Sequence, residues 1–92
     1  MKLSDLPDDY LRPEVLAFAV EMEGKLRAND YKGGWANESI EGWLLPRMHE
    51  ELTEFELAII AIDETGDIEG LKREAADVAN FLMMIVDVAE LN

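Results

Sequence analysis

Apolar residues recur three and four positions apart through most of this chain, which is the period of an α-helix. Val15, Leu16, Phe18, Ala19, Met22 and Leu26 carry the pattern after Pro13, a residue suited to a first helical position. They predict a helix to about Ala28, stopped by Asn29-Asp30. Tyr31 to Asn37 reads as a loop, in which the adjacent Gly33 and Gly34 allow the backbone to approach a ligand closely. Asn37 or Ser39 suits the N-cap of a second helix reaching about Ile62. Within it Pro46 predicts either a kink or a short helix followed by a long one. Met48, Leu52, Phe55, Ile59 and Ile62 form its apolar stripe. Asp63 to Asp67 is a turn, with Thr65 or Asp67 as the next N-cap. A last helix over roughly 68–91 aligns Leu71, Ala75, Val78, Leu82, Ile85 and Ala89, with Phe81, Met84 and Val88 beside them. Residues 1–12 form a turn-rich lead-in with room for one short helical turn. No strand pattern or internal repeat is present. The expected fold is all-α, an antiparallel helical bundle in a single domain over 1–92. A chain of 92 residues buries only a modest core, so completion of the bundle by oligomerisation is expected.

Charge sharpens the picture. Against 8 basic residues stand 21 acidic ones, for a net charge of −13. Such a balance disfavours a nucleic-acid polymer or an anionic membrane as partner, since both need clustered Lys and Arg. It favours cations. No cysteine is present, which excludes a disulfide framework, a thiolate nucleophile and a Cys-based zinc site. The longest apolar run, Phe81 to Val86, is far shorter than a membrane span. The first residues turn acidic at once, unlike a secretory signal, so a cytoplasmic location is expected.

The acidic residues are not spread evenly over the predicted polar faces. Projection at about 100° per residue puts Glu51 between the directions of Ala58 and Ile62, and Glu54 between those of Ala61 and Ala58. On the last helix Glu74 falls between Phe81 and Ile85, and Asp77 between Met84 and Val88. Glu50 lies at the margin of this group, whereas His49, Thr53 and Glu56 occupy the outer face. Carboxylates directed toward a core repel one another unless they protonate, pair with a base or bind a cation. Arg47, projecting between Glu54 and Glu51, is the one base clearly on that face. A hard divalent ion such as Mg²⁺, which takes oxygen ligands and is often shared with phosphates, suits the group best.

Glu50-Glu51-x-x-Glu54 followed by Glu74-x-x-Asp77 resembles the EExxE…ExxD signature of the MazG-like all-α nucleoside triphosphate pyrophosphohydrolases. The resemblance extends over roughly residues 30–90, including the Lys-Gly-Gly-Trp loop. It implies a helical bundle that assembles as a homo-dimer or tetramer. It also implies hydrolysis of a (deoxy)nucleoside triphosphate between the α- and β-phosphates, releasing a monophosphate and pyrophosphate with Mg²⁺, or Mn²⁺ in its place. By motif position Glu51, Glu54, Glu74 and Asp77 become the metal ligands, and Glu50 an auxiliary carboxylate that joins a second metal or orients the attacking water. Trp35 and Phe81 match aromatic pocket positions, and Asn80 is a candidate to hydrogen-bond sugar or base. Lys32 and Arg47 are the phosphate candidates, with Lys25 and Arg73 behind them.

The inventory of reactive groups fits such chemistry, which needs charge neutralisation and a positioned water more than a protein nucleophile. The single histidine, His49, projects outward, and Gly33-Gly34 lacks the GKS/T ending of a Walker loop. Trp35 and Trp43 also suit plain packing, and the lysines and arginines ordinary surface ion pairs. The alternative function is a non-enzymatic acidic helical module whose carboxylates bind a structural cation or a basic partner. A narrower alternative keeps the family and changes the substrate, to a phosphoribosyl-ATP or a single pyrimidine nucleotide.

Overall fold

Pro13 opens the first helix, α1 (Pro13–Ala28), where its missing N–H removes no intrahelical bond. The computed structural model describes residues 2–92, Leu3 by its backbone alone; Met1, where the expected domain begins, lies outside the described residues. At the other end of α1, Asn29 is the C-cap and its Nδ2 donates to the Lys25 carbonyl at 3.0 Å. A 3-10 turn, Asp30–Lys32, follows, and Gly33 then takes φ 87°, a value that side-chain-bearing residues rarely adopt. One more 3-10 turn, Leu3–Asp5, occupies the lead-in.

Pro46 resolves into a short helix that runs directly into a long one. Ser39 is the N-cap of a π-helical turn, Ile40–Leu44, and its Oγ accepts from the Gly42 N–H at 2.9 Å. Helix α2 (Leu45–Thr65) starts at the end of that turn, with Pro46 in its first turn. A proline there would press on the carbonyl four residues back, and the wider π turn relieves that contact. The helix runs three residues past Ile62 and ends on Gly66, whose φ of 64° is left-handed and whose N–H donates to the Ile62 carbonyl at 2.8 Å. Asp67 then caps α3 (Ile68–Leu91) by accepting from the Gly70 N–H at 2.9 Å. A Cβ at position 70 would meet the Asp67 carboxylate, so a larger residue there would displace the capping side chain.

The three helices make an all-α fold, with no strand among the described residues. Helices α2 and α3, joined by the Gly66-Asp67 turn, pack as a hairpin, and α1 packs on α3 alone. Helix α3 is therefore the centre of the molecule. Its most buried positions are Ala76, Asn80 and Val88, together with Leu44 from the π turn. This differs from the expected stripe, since Leu82 is 49 % exposed and Ala89 is also exposed. The reason is that α3 is covered from two sides, so its buried line follows the seam between α1 and α2 rather than its most hydrophobic meridian. Helix α1 buries nothing fully, and Val15, Leu16 and Phe18 of its expected stripe face solvent. On α2, Ile59 of the stripe is exposed, as are Leu57 and Ile60.

The exposed surface is 7026 Å², against roughly 5,400 Å² for a compact monomer of this mass. The radius of gyration, 15.0 Å, likewise exceeds the roughly 12 Å of a compact chain of this length. No helix among the described residues is long and apolar enough to cross a membrane.

Candidate functional site

Two helices supply the acidic group. On α2 the spacing of Glu51 and Glu54 sets their side chains on one face, and the hairpin brings Glu74 of α3 opposite them. Carboxylate oxygens of Glu51, Glu54 and Glu74 all lie within 4.8 Å of one another. Glu51 is well covered, its side chain only 12 % exposed, and Glu74 is half-buried with Oε2 buried and without a hydrogen-bond partner. Glu54 departs from the inward projection and is exposed.

The electrostatics follow from that crowding. Burial, followed by the charges of Asp77 and Glu54, pushes the Glu51 carboxyl above its ordinary value, while Arg47 pulls the other way. For Glu74 burial again leads, with Glu54 and Asp77 adding to it and Lys25 opposing. Both side chains thus hold their protons more tightly than free glutamate. A divalent cation would relieve the strain, and the donor set fits one: oxygen ligands only, net negative, with a buried oxygen that no protein group satisfies. Hard ions of the Mg²⁺ and Mn²⁺ type match such ligands.

Asp77, the fourth ligand implied by the motif, faces a base instead. Lys25 of α1 reaches across to it, Nζ to Oδ1 at 3.3 Å. Glu50 is exposed and pairs with Arg47, as its marginal projection implied. Arg47 also donates through Nη2 to Glu51 Oε1 at 3.1 Å, and its guanidinium sits 5.4 Å from the centre of the Phe81 ring. The hydrogen bond to Glu50 is the leading cause that raises the Arg47 pKa further above neutrality, so this charge is permanent.

Beside these acids is a cavity of about 440 Å³, within the roughly 300–1,000 Å³ common for small-molecule sites. All five expected substrate contacts, Lys32, Trp35, Arg47, Asn80 and Phe81, line it. Glu51 and Asp77 line it as well, whereas Glu50, Glu54 and Glu74 do not. Lys25, kept in the background on sequence grounds, is a wall residue; Arg73 is exposed and is not. His49 is exposed on the outer face, as projected.

The aromatic lining is held from several directions. Trp43 lines the cavity and lies against Phe81, ring centres 6.1 Å apart and tilted by 57°. It therefore both packs and borders the cavity, a double role its sequence position did not reveal. Trp35 is fixed by a hydrogen bond from Nε1 to Asp87 Oδ2 at 2.9 Å, across 52 residues of chain. Asp87 had no signal in the sequence, because nothing local relates the last turns of α3 to the glycine loop. Lys32 lies against Tyr31, Nζ 5.7 Å from the ring centre. Asn80, 4 % exposed, donates through Nδ2 to the Met22 carbonyl at 3.1 Å, and its Oδ1 is buried without a partner.

The site is therefore an acidic trio shared by the paired helices α2 and α3, next to a cavity with basic and aromatic walls. Comparison with protein-family models, characterised proteins and solved structures gave no match.

Proposed function

We propose that this protein is a nucleoside triphosphate pyrophosphohydrolase of the MazG-like kind, cleaving a (deoxy)nucleoside triphosphate to a monophosphate and pyrophosphate. One observation carries the reading: the converging oxygens of Glu51, Glu54 and Glu74 stand beside a cavity whose walls combine Lys25, Lys32 and Arg47 with Trp35, Trp43 and Phe81. Acids alone would suit many cations, and aromatic walls many rings. Their combination suits a ligand with a polyphosphate at one end and a planar base at the other.

Glu51, Glu54 and Glu74 would hold Mg²⁺ or Mn²⁺, with Asp77 joining them if Lys25 turns to the substrate. When bound, the ion supplies neutralisation of phosphate charge. Lys25, Lys32 and Arg47 bind the phosphate oxygens that remain, Arg47 kept in place by Glu51 and Glu50. Phe81, Trp43 and Trp35 accept the base. Glu50, paired with Arg47, would be the auxiliary carboxylate that orients the attacking water or joins a second metal. Water adds to the α-phosphorus, the bond from that phosphorus to the bridging oxygen breaks, and pyrophosphate leaves. Positioning and charge supply the acceleration.

A second copy of the chain supports the same reading. The surplus of exposed area, roughly 1,600 Å² on one chain, is about twice the roughly 800 Å² that each partner gives to a standard-size interface, and the surface carries exposed Leu, Ile, Val and Phe. A homo-dimer, or a tetramer built from it, would cover the exposed apolar residues of α1 and α2. The composition and the absence of a membrane-spanning helix among the described residues support a cytoplasmic enzyme.

The test is release of pyrophosphate from a panel of ribo- and deoxynucleoside triphosphates with Mg²⁺. Glu54→Gln and Asp77→Asn are expected to lower kcat/KM at least a hundredfold. If no nucleotide is turned over, or both variants keep full activity, the reading is lost. Stabilisation by metal without any effect of nucleotide would support the acidic binding module instead.

A further inference from the structure

We propose that Asn80 reads the base, accepting through Oδ1 a hydrogen bond from an exocyclic amine on the base edge. The inference rests on the nucleotide reading above.

Asn80 is the one polar side chain in the buried core of α3. The orientation of its amide is settled by chemistry, because the Met22 carbonyl can only accept and so must face Nδ2. This leaves Oδ1 buried and without a donor, on a residue that lines the cavity. A buried carbonyl without a partner is costly, and such groups are rare in folded proteins. Replacing Asn80 by an apolar residue would remove that cost, so a ligand is the natural source of the missing donor.

The donor cannot come from the phosphate end of a nucleotide. At neutral pH the phosphate oxygens are acceptors and would oppose Oδ1. Phe81, the next residue, lies under Arg47 and against Trp43, and both rings line the same cavity. Asn80 adjoins Phe81 on α3 and lines the same cavity, so a planar base laid against the rings would lie close to it. Because Nδ2 is engaged with Met22, Asn80 does not read the base with both ends of the amide, as a free asparagine does with adenine. It is an acceptor only. A site built around a hydrogen bond rejects a ligand lacking the donor more strongly than a hydrophobic wall does.

The experiment compares kcat/KM for matched triphosphates with and without the exocyclic amine. These are dATP against 2′-deoxypurine riboside triphosphate, and dCTP against its 2-pyrimidinone counterpart. In the pair of the preferred base, loss of the amine is expected to cost about tenfold to a hundredfold. In Asn80→Leu that ratio should fall to within about twofold. The ratio does not depend on how much of a variant is folded, and Asn80→Ala serves if Asn80→Leu yields no protein. Equal use of both members by the unaltered protein overturns the assignment and leaves the hydrolase reading standing. The assignment to the base is likewise overturned if the loss follows removal of the 3′-hydroxyl, in dideoxy analogues, and not of the amine. No turnover of any member removes the hydrolase reading, and this one with it.

Discussion

Lys25 Nζ lies 3.3 Å from Asp77 Oδ1, joining α1 to the acidic end of α3 through two side chains that are each less than a third exposed. The pair ties down a helix that buries no residue fully. It also occupies the carboxylate that the EExxE…ExxD pattern assigns to metal. Lys25→Met is expected to lower the melting temperature in chelator by roughly 2–8 °C, the equivalent of a pair worth about 0.5–1 kcal/mol in a domain of this size. With Asp77 released, the rise in melting temperature on adding Mg²⁺ should be larger than in the unaltered protein. An equal rise in both would show that Lys25 and the metal do not compete for Asp77.

Glu74 gives the clearest conflict between stability and binding. In chelator, Glu74→Gln removes a half-buried carboxylate crowded by Glu54 and Asp77 and should raise the melting temperature. The same change should abolish most of the stabilisation by Mg²⁺. Thermal melts with and without metal decide the matter, and a metal response unchanged in Glu74→Gln would remove this residue from the ligand set.

The same residues set the sign of a pH effect. Glu51 and Glu74 have raised pKa values in the folded state, so the folded protein binds their protons more tightly than the unfolded chain. Their contribution to stability is fully present below the ordinary glutamate range and is lost as pH rises through the raised values. The metal-free protein should therefore melt progressively lower as pH climbs from the ordinary glutamate range toward neutrality. General charge repulsion at −13 has the same sign, so the difference between the unaltered protein and Glu74→Gln is the informative quantity. A difference independent of pH across that range would contradict the assignment for Glu74.

Trp35 and Asp87 form a clasp between the glycine loop and α3. Asp87→Leu should cost about 1 kcal/mol and leave the Trp35 ring more accessible to acrylamide quenching, followed in a Trp43→Phe background. In the nucleotide reading KM rises severalfold while kcat changes little, since Trp35 binds and does not react. Asp87→Asn retains an acceptor and should recover most of the loss. Unchanged quenching in Asp87→Leu would mean that packing alone holds the loop.

Ile60 is 75 % exposed in the middle of α2, beside Leu57 at 60 %. An apolar face of this kind calls for a partner. The unaltered protein is expected to sediment as a dimer or larger assembly, and Ile60→Glu to shift it toward monomer at micromolar concentration. A monomeric unaltered protein at all concentrations would require another occupant for that face.

Much of the local structure was legible in the residues themselves. Pro13, Ser39, Gly66 and Asp67 mark helix ends because caps and turns are satisfied within three or four residues. The shared face of Glu51 and Glu54 follows from the helical period alone. Tertiary structure decided everything that depends on which helix lies against which. The stripe of α1 pointed to a covered face, yet of the two other long helices α1 packs on α3 and not on α2, and Val15, Leu16 and Phe18 remain outside. Glu74 joining the acids of α2, Asp77 passing to Lys25, and Trp35 reaching Asp87 are relations between distant segments that no local period encodes. Asn80 shows the division most plainly: the family resemblance named it as a candidate, but only the Met22 carbonyl of α1 fixed which end of its amide is without a partner.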